Sequence, residues 1–174
     1  GNNLKVVVGG LGLGYTAEAV LRSNRVGELL VVEALDTVIH WHQQEKVPLG
    51  ERLNNDLRCR YVHGNFFELA VDIEKGFDPD QSGRRYDAIL LDIDHSPRAL
   101  LNAANGSFYT VESLTGMARQ LRTGGVFAMW SNELEDERFM AVLQAVFSSV
   151  KSHRVCFYNP FQGAESSNTI YVAC

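Results

Sequence analysis

Cysteine is scarce in this sequence, positive charge is outnumbered, and long apolar runs are missing. The 174 residues include 3 cysteines, Cys59, Cys156 and Cys174. An odd, widely spaced trio builds neither a disulfide framework nor a zinc-ligand spacing, so a reducing cytoplasm is the expected setting and no metal is expected. Lysine and arginine total 16 against 21 acidic residues, a net charge of −5. Such a chain lacks the basic patch of a general nucleic-acid binder, and no nucleic-acid partner is expected. No apolar run approaches the ~20 residues of a membrane span. The chain opens almost directly on its first apolar run, so no signal peptide is expected, and the abrupt start suggests that an upstream segment has been lost. Asn105-Gly106-Ser107 matches a glycosylation acceptor, which has no meaning in a cytosolic chain. What remains is 45% hydrophobic, enough for one domain, residues 1–174, with a sizeable core.

Short apolar, β-branched runs alternate with helical patterns. Strands are expected at 4–8, 29–33, 58–62, 88–91, 126–130, 154–158 and 169–173, the fifth entered through a turn at Gly124-Gly125. Helices are expected at 17–21, 35–46, 66–71, 110–121 and 136–150. Thr110 is a plausible N-cap, Phe139, Val142, Leu143, Val146 and Phe147 form one apolar helix side, and 78–85 reads as a solvent loop. Alternation of this kind means a doubly wound, mostly parallel sheet with helices on both faces. The last two strands have no helix between them and should pair antiparallel. No segment repeats.

Ligands on such sheets bind beyond the carboxyl ends of the strands. The loop after strand one, "VVVGGLGLGY", places Gly9, Gly10, Gly12 and Gly14 there, where glycine lets backbone approach a ligand closely. The dinucleotide pattern G-x-G-x-x-G fails, since its last glycine falls on Tyr15 from Gly10 and its second on Leu11 from Gly9. This counts against a nicotinamide dehydrogenase. The phosphate-loop pattern fails for want of a Gly-Lys-Ser/Thr. The remaining G-x-G-x-G resembles an S-adenosylmethionine loop.

Strand two ends in Glu33, next to Ala34, and a carboxylate here suits ribose hydroxyls. Taken alone, an acid at the start of a helix explains Glu33 equally well. In "HGNFFEL", Asn65 stands where an adenine edge would lie, with Phe66 able to pack on the ring. Asn65 could equally cap the helix that follows, and both roles can coexist. Strand four ends "YDAILLDIDHSP", bringing Asp92, Asp94 and His95 to the same end of the sheet. His40 and His42, two apart on a helix, point to different faces and are expected to be surface or partly buried. Trp41 and Trp130 read as core or rim aromatics.

Taken in order, "GGLGLG", "VVEALD", "HGNFFE", "YDAILLDIDHSP", "FYTVESL" and "LRTGGVFAMW" resemble the catalytic domain of the spermidine synthase (polyamine aminopropyltransferase) family. That family shares the class I S-adenosylmethionine-dependent methyltransferase fold. The resemblance implies a Rossmann-like, seven-stranded sheet in the order 3-2-1-4-5-7-6 with its last strand antiparallel. It implies S-adenosylmethionine or decarboxylated S-adenosylmethionine as cofactor, a small-molecule acceptor, no membrane, and a homodimer as the candidate assembly. It also implies that Asp92 helps deprotonate the attacking group, with Asp94 or His95 as alternates, and that Tyr109 lines the acceptor pocket, although core packing is the simpler expectation for Tyr109.

The departures from the family concern the acceptor. The family's second aspartate, three positions after the first, is here His95. The loop carries Leu11 and Leu13 where the family has an aspartate, and Asn65 replaces another. Arg98-Ala99-Leu100 replaces Gly-Pro-Ala, and the family's N-terminal β-rich segment is absent from the sequence. A buried ammonium must be paired. Losing an aspartate and adding Arg98 therefore argue against a standard diamine acceptor. Methyl transfer, or a non-catalytic nucleoside-binding module, are the alternatives.

Overall fold

The computed structural model describes residues 3–161 and 163–174. β1 (Leu4–Gly9), β2 (Val26–Glu33), β3 (Cys59–His63), β4 (Tyr86–Leu91), β5 (Leu121–Ser131), β6 (Val150–Asn159) and β7 (Ala164–Ala173) form one sheet in the order β3-β2-β1-β4-β5-β7-β6. β1 to β5 run parallel, and β7 is antiparallel to both β5 and β6. This is the architecture expected from the sequence.

The valines of β1 show why the sheet is covered twice. Val7 packs with Leu30 and Val32 on one face, while Val6 and Val8 pack with Leu29 and Val31 on the other. Successive strand residues point to opposite faces, so a continuous apolar run requires a layer on each. The first face is covered by α4 (Phe66–Val71), α5 (Val111–Ala118) and α6 (Glu137–Val146), through Phe66, Leu69, Leu114, Met117, Phe139 and Leu143. α1 (Tyr15–Leu21), α2 (Asp36–Gln43) and α3 (Gly50–Asn54) cover the other through Ala17, Leu21, Ile39 and Leu53. Thr110 caps α5, as expected, by accepting from the Ser113 N–H.

Several boundaries differ from expectation. The helix expected over 35–46 stops at Gln43, because Glu45 adopts φ +57, and α3 follows as a separate short helix. α5 ends at Ala118, since Leu121 already pairs with Tyr86 as the start of β5. Gly124, at φ +75, therefore lies within the strand, where the register with β4 shifts. α6 ends at Val146 because Val150 is taken into β6. The final hairpin is longer than expected, with β7 meeting β5 only from Thr169 to Ala173, so that Val155, Phe157, Tyr158 and Phe161 are exposed. The supposed solvent loop carries Asp78, which is fully buried and paired with Arg60 and Arg84 at the amino end of the sheet. Among the described residues no helix is long and apolar enough to cross a membrane.

Candidate active site

The glycine loop leaves the end of β1 between β2 and β4. The Gly10 N–H bonds to the Val32 carbonyl, and the Asp92 N–H bonds to the Gly9 carbonyl. The two strand ends approach so closely that a Cβ on Gly10 would lie 2.3 Å from the Asp92 carbonyl oxygen, and Gly10 sits at φ +96. Gly9 is glycine for a different reason, since its Cβ would strike the Phe66 ring at 2.4 Å. Gly14, at φ +90, starts α1 against Leu53 and His42.

Beyond these strand ends lies a cleft of about 420 Å³. Gly10, Gly12, Glu33, Ala34, Asn65, Phe66 and Asp92 line it, together with Leu35, Val38, Phe67, Ile93, Leu101, Asn102 and Asn105. Of the residues singled out in the sequence, Gly9, Gly14, Asp94, His95 and Tyr109 are not among those lining it. Among the described residues its wall holds two charged groups, Glu33 and Asp92, and no lysine, arginine or histidine. Leu35 and Leu101 are both largely exposed there and offer apolar surface.

Each polar group has a defined set of partners. Glu33 accepts from the Leu11 N–H at 3.0 Å and the Leu35 N–H at 2.9 Å. A carboxylate has about four acceptor positions, so two remain. The Asn65 side chain accepts from the Phe67 N–H at 3.0 Å, which caps α4, and donates to Glu68 at 3.1 Å. It keeps one amide hydrogen and one lone pair. The Phe66 ring is buried and stacks on Phe77 at 5.1 Å, so it belongs to the floor of the cleft. Asp92 Oδ2 accepts from the Thr16 hydroxyl at 2.5 Å, while Oδ1 has no partner among the described residues. Thr16 was not foreseen, because a single hydroxyl in a first helical turn carries no spacing signal.

Asp94 is placed differently from Asp92. It is buried, and it accepts from the Leu101 N–H at 2.8 Å, from Asn105 Nδ2 at 2.9 Å and from the Tyr109 hydroxyl at 2.8 Å. It anchors the irregular segment that follows β4. Tyr109 packs on Phe67, Phe108 and Phe139, as core packing would have it. Burial first, and then the Asp94 carboxylate, push its hydroxyl far above the ordinary tyrosine range. His95 is exposed, and its carbonyl accepts from the Asn132 N–H. Arg98 lies 3.0 Å from Asp136 and 3.9 Å from Glu133 and does not line the cleft. The positive charge expected near the acceptor is therefore neutralised elsewhere. His42, expected at or near the surface, is fully buried beneath the glycine loop, whereas Trp41 is exposed.

This fold and cleft define a class, the Rossmann-like sheet shared by spermidine synthases and class I S-adenosylmethionine-dependent methyltransferases. Among solved structures the chain is similar to spermidine synthase from Thermotoga maritima, with 19% identity over 98% of this chain and 53% of that one, at a TM-score of 0.69. It is similar to a spermidine synthase in complex with the transition state analogue AdoDATO, with 21% identity over 98% of this chain and 55% of that one, at 0.71. Human methyltransferase-like protein 13 in complex with SAH gives 18% identity over 98% of this chain and 71% of that one, at 0.70. The chain thus spans about half the length of the two spermidine synthases. No protein-family model matches it, and no curated protein matches it in sequence. At these identities the likeness establishes the fold.

Proposed function

We propose that the chain is a transferase that uses an adenosyl sulfonium cofactor, S-adenosylmethionine or its decarboxylated form, to pass a methyl or aminopropyl group to a small-molecule acceptor. One observation carries this reading. Gly10 and Gly12, Glu33, Asn65 and Asp92, from the ends of four different strands, all line one cleft. Glu33 has two free acceptor positions for ribose hydroxyls, and Asn65 has a donor and an acceptor left for an adenine edge. Leu35 and Leu101 supply apolar surface for the base.

The sulfonium cofactor supplies an already activated leaving group, so the protein's task is alignment and proton removal. Asp92 takes the proton from the acceptor. Its Oδ2 is held by Thr16, which leaves Oδ1 for the attacking N–H or O–H. The acidic wall favours the decarboxylated cofactor, because its amine finds carboxylates while the amino-acid carboxylate of S-adenosylmethionine finds no cationic side chain. A standard diamine is not favoured as acceptor, since Asp94 is buried and already bound to three donor groups.

Isothermal titration with S-adenosylmethionine, its decarboxylated form, S-adenosylhomocysteine and methylthioadenosine tests the reading. Binding is expected, tighter for the two compounds without the amino-acid carboxylate. Failure of all four would overturn it in favour of a module that does not bind adenosyl compounds.

A further inference from the structure

The transfer reaction makes no direct use of His42, yet His42 touches the loop on which that reaction depends. The residue lies on α2, is fully buried, and places Nε2 3.0 Å from the Gly12 carbonyl oxygen. A carbonyl only accepts, so Nε2 carries the hydrogen. Nδ1 is buried without a partner among the described residues, so the ring is not held by a second hydrogen bond. Packing holds it instead. The Tyr61 ring lies 5.9 Å away, tilted by 53°, and the Tyr61 hydroxyl donates to Asn54 at 3.1 Å. Asn54 in turn donates to the His42 carbonyl at 2.8 Å.

Gly12 needs such a hold. It sits at φ +48, and a Cβ there would meet nothing within 4 Å. Steric packing therefore does not fix this peptide. Hydrogen bonds from the β2–α2 segment do, at two consecutive residues: Glu33 accepts from the Leu11 N–H, and His42 donates to the Gly12 carbonyl. A trans peptide is planar, with its C=O and N–H opposed. Drawing the Gly12 carbonyl toward His42 turns the Leu13 N–H away from α2, and that N–H has no intrachain partner among the described residues.

We propose that His42 is a positioning residue for the cleft, orienting the Gly12–Leu13 peptide so that its N–H is presented to an acceptor atom of the bound ligand. The ligand side of this inference rests on the adenosyl reading of the cleft.

The test uses the ¹⁵N-labelled full chain with His42→Leu and His42→Gln, since glutamine carries an N–H close to the imidazole Nε2 position. The wild-type ring should carry a hydrogen on Nε2 by NMR. His42→Leu should speed exchange of the Leu11 amide, which Glu33 holds, relative to the core strands, by about tenfold and weaken methylthioadenosine binding by about tenfold, the scale for leaving one buried acceptor unpaired. His42→Gln should recover most of both. A wild-type ring with no hydrogen on Nε2 would overturn the proposal. So would a leucine variant that matches wild type in exchange and affinity, or a glutamine variant no better than leucine. If the wild type binds no adenosyl compound, the proposed function fails, and the tautomer and exchange results still decide whether His42 sets the loop.

Discussion

The Thr16 hydroxyl donates to Asp92 Oδ2 at 2.5 Å across 76 residues of sequence. It ties the first turn after the glycine loop to the end of β4. The glycine-loop wall of the cleft and the proposed base are thus one mechanical unit. Asp92→Asn keeps the shape and removes the base, and is expected to lower kcat by about 10²- to 10⁴-fold while adenosyl binding persists. Thr16→Val keeps the shape and removes the donor. It is expected to lower kcat about tenfold, with nucleoside affinity within about twofold, on the scale of one charge-assisted hydrogen bond. Release of the adenosyl thioether into a mixed amine pool measures both. Full turnover by the asparagine variant would exclude Asp92 as the base.

Gly10 and Gly12 are expected to respond differently to alanine. At Gly10 the new methyl meets the Asp92 backbone at 2.3 Å, and the φ of +96 is strained for any side chain. Backbone does not give way cheaply, so Gly10→Ala should cost more than ~2 kcal/mol of stability. At Gly12 the methyl meets nothing within 4 Å, which leaves only the left-handed conformation at φ +48. Gly12→Ala should cost about 1 kcal/mol in chemical denaturation. Because Gly12 lines the cleft, its affinity for methylthioadenosine should fall by more than its stability does. Equal losses of stability in the two variants would contradict this account.

Asp94 and Tyr109 form the anchor of the segment after β4. Tyr109→Phe deletes one donor to a buried carboxylate and should cost about 1.5 kcal/mol. The folded chain keeps the Tyr109 hydroxyl protonated well above the value near 10 at which an unfolded tyrosine ionises. Its stabilising contribution is therefore complete below about pH 10 and declines as pH rises beyond that point. In a titration followed by tyrosinate absorbance, Tyr109→Phe should leave the folded-state curve unchanged up to about pH 11. A lost titration step in the variant would show that Tyr109 ionises normally.

The parts of the site that were legible in the sequence are those that backbone geometry dictates. Glycines after a buried strand, an acid ending the second strand and Asp92 ending the fourth all follow from where a parallel sheet presents its carboxyl ends. Thr16, Leu101, Asn102 and Asn105 were not legible. They come from a helix turn, an irregular stretch, or the short 3-10 helix Ala103–Phe108 that Asn102 caps, where no long periodicity links side chain to position. The role of Asp94 escaped for a related reason. Two carboxylates two residues apart look alike in a sequence, and only the fold shows that one faces the cleft and the other faces Tyr109. Likewise the start of β5 at Leu121 depended on pairing with Tyr86, a partner 35 residues away.

At the amino end of the sheet, Asp78 is fully buried and bound to Arg60 at 2.6 Å and Arg84 at 2.8 Å, while Arg84 also grips Glu28. Burial pushes the Asp78 carboxyl up, but Arg60, the Asp80 N–H and Arg84 together outweigh it and hold it below the ordinary aspartate value. The Arg84 hydrogen bond does the same for Glu28. Both groups have depressed folded values, so their stabilisation is complete above the unfolded values near 4 and is lost as pH falls through the folded ones. Asp78→Asn takes one carboxylate from each of two guanidiniums, leaving Arg84 with Glu28 and Arg60 with Asp80, and should cost about 2 kcal/mol at pH 7. In urea denaturation between about pH 7 and pH 3, the wild type should lose more stability than the variant, so that the gap between the two curves narrows toward the acid end. Parallel curves would mean that the Asp78 charge contributes nothing to holding β2, β3 and β4 together.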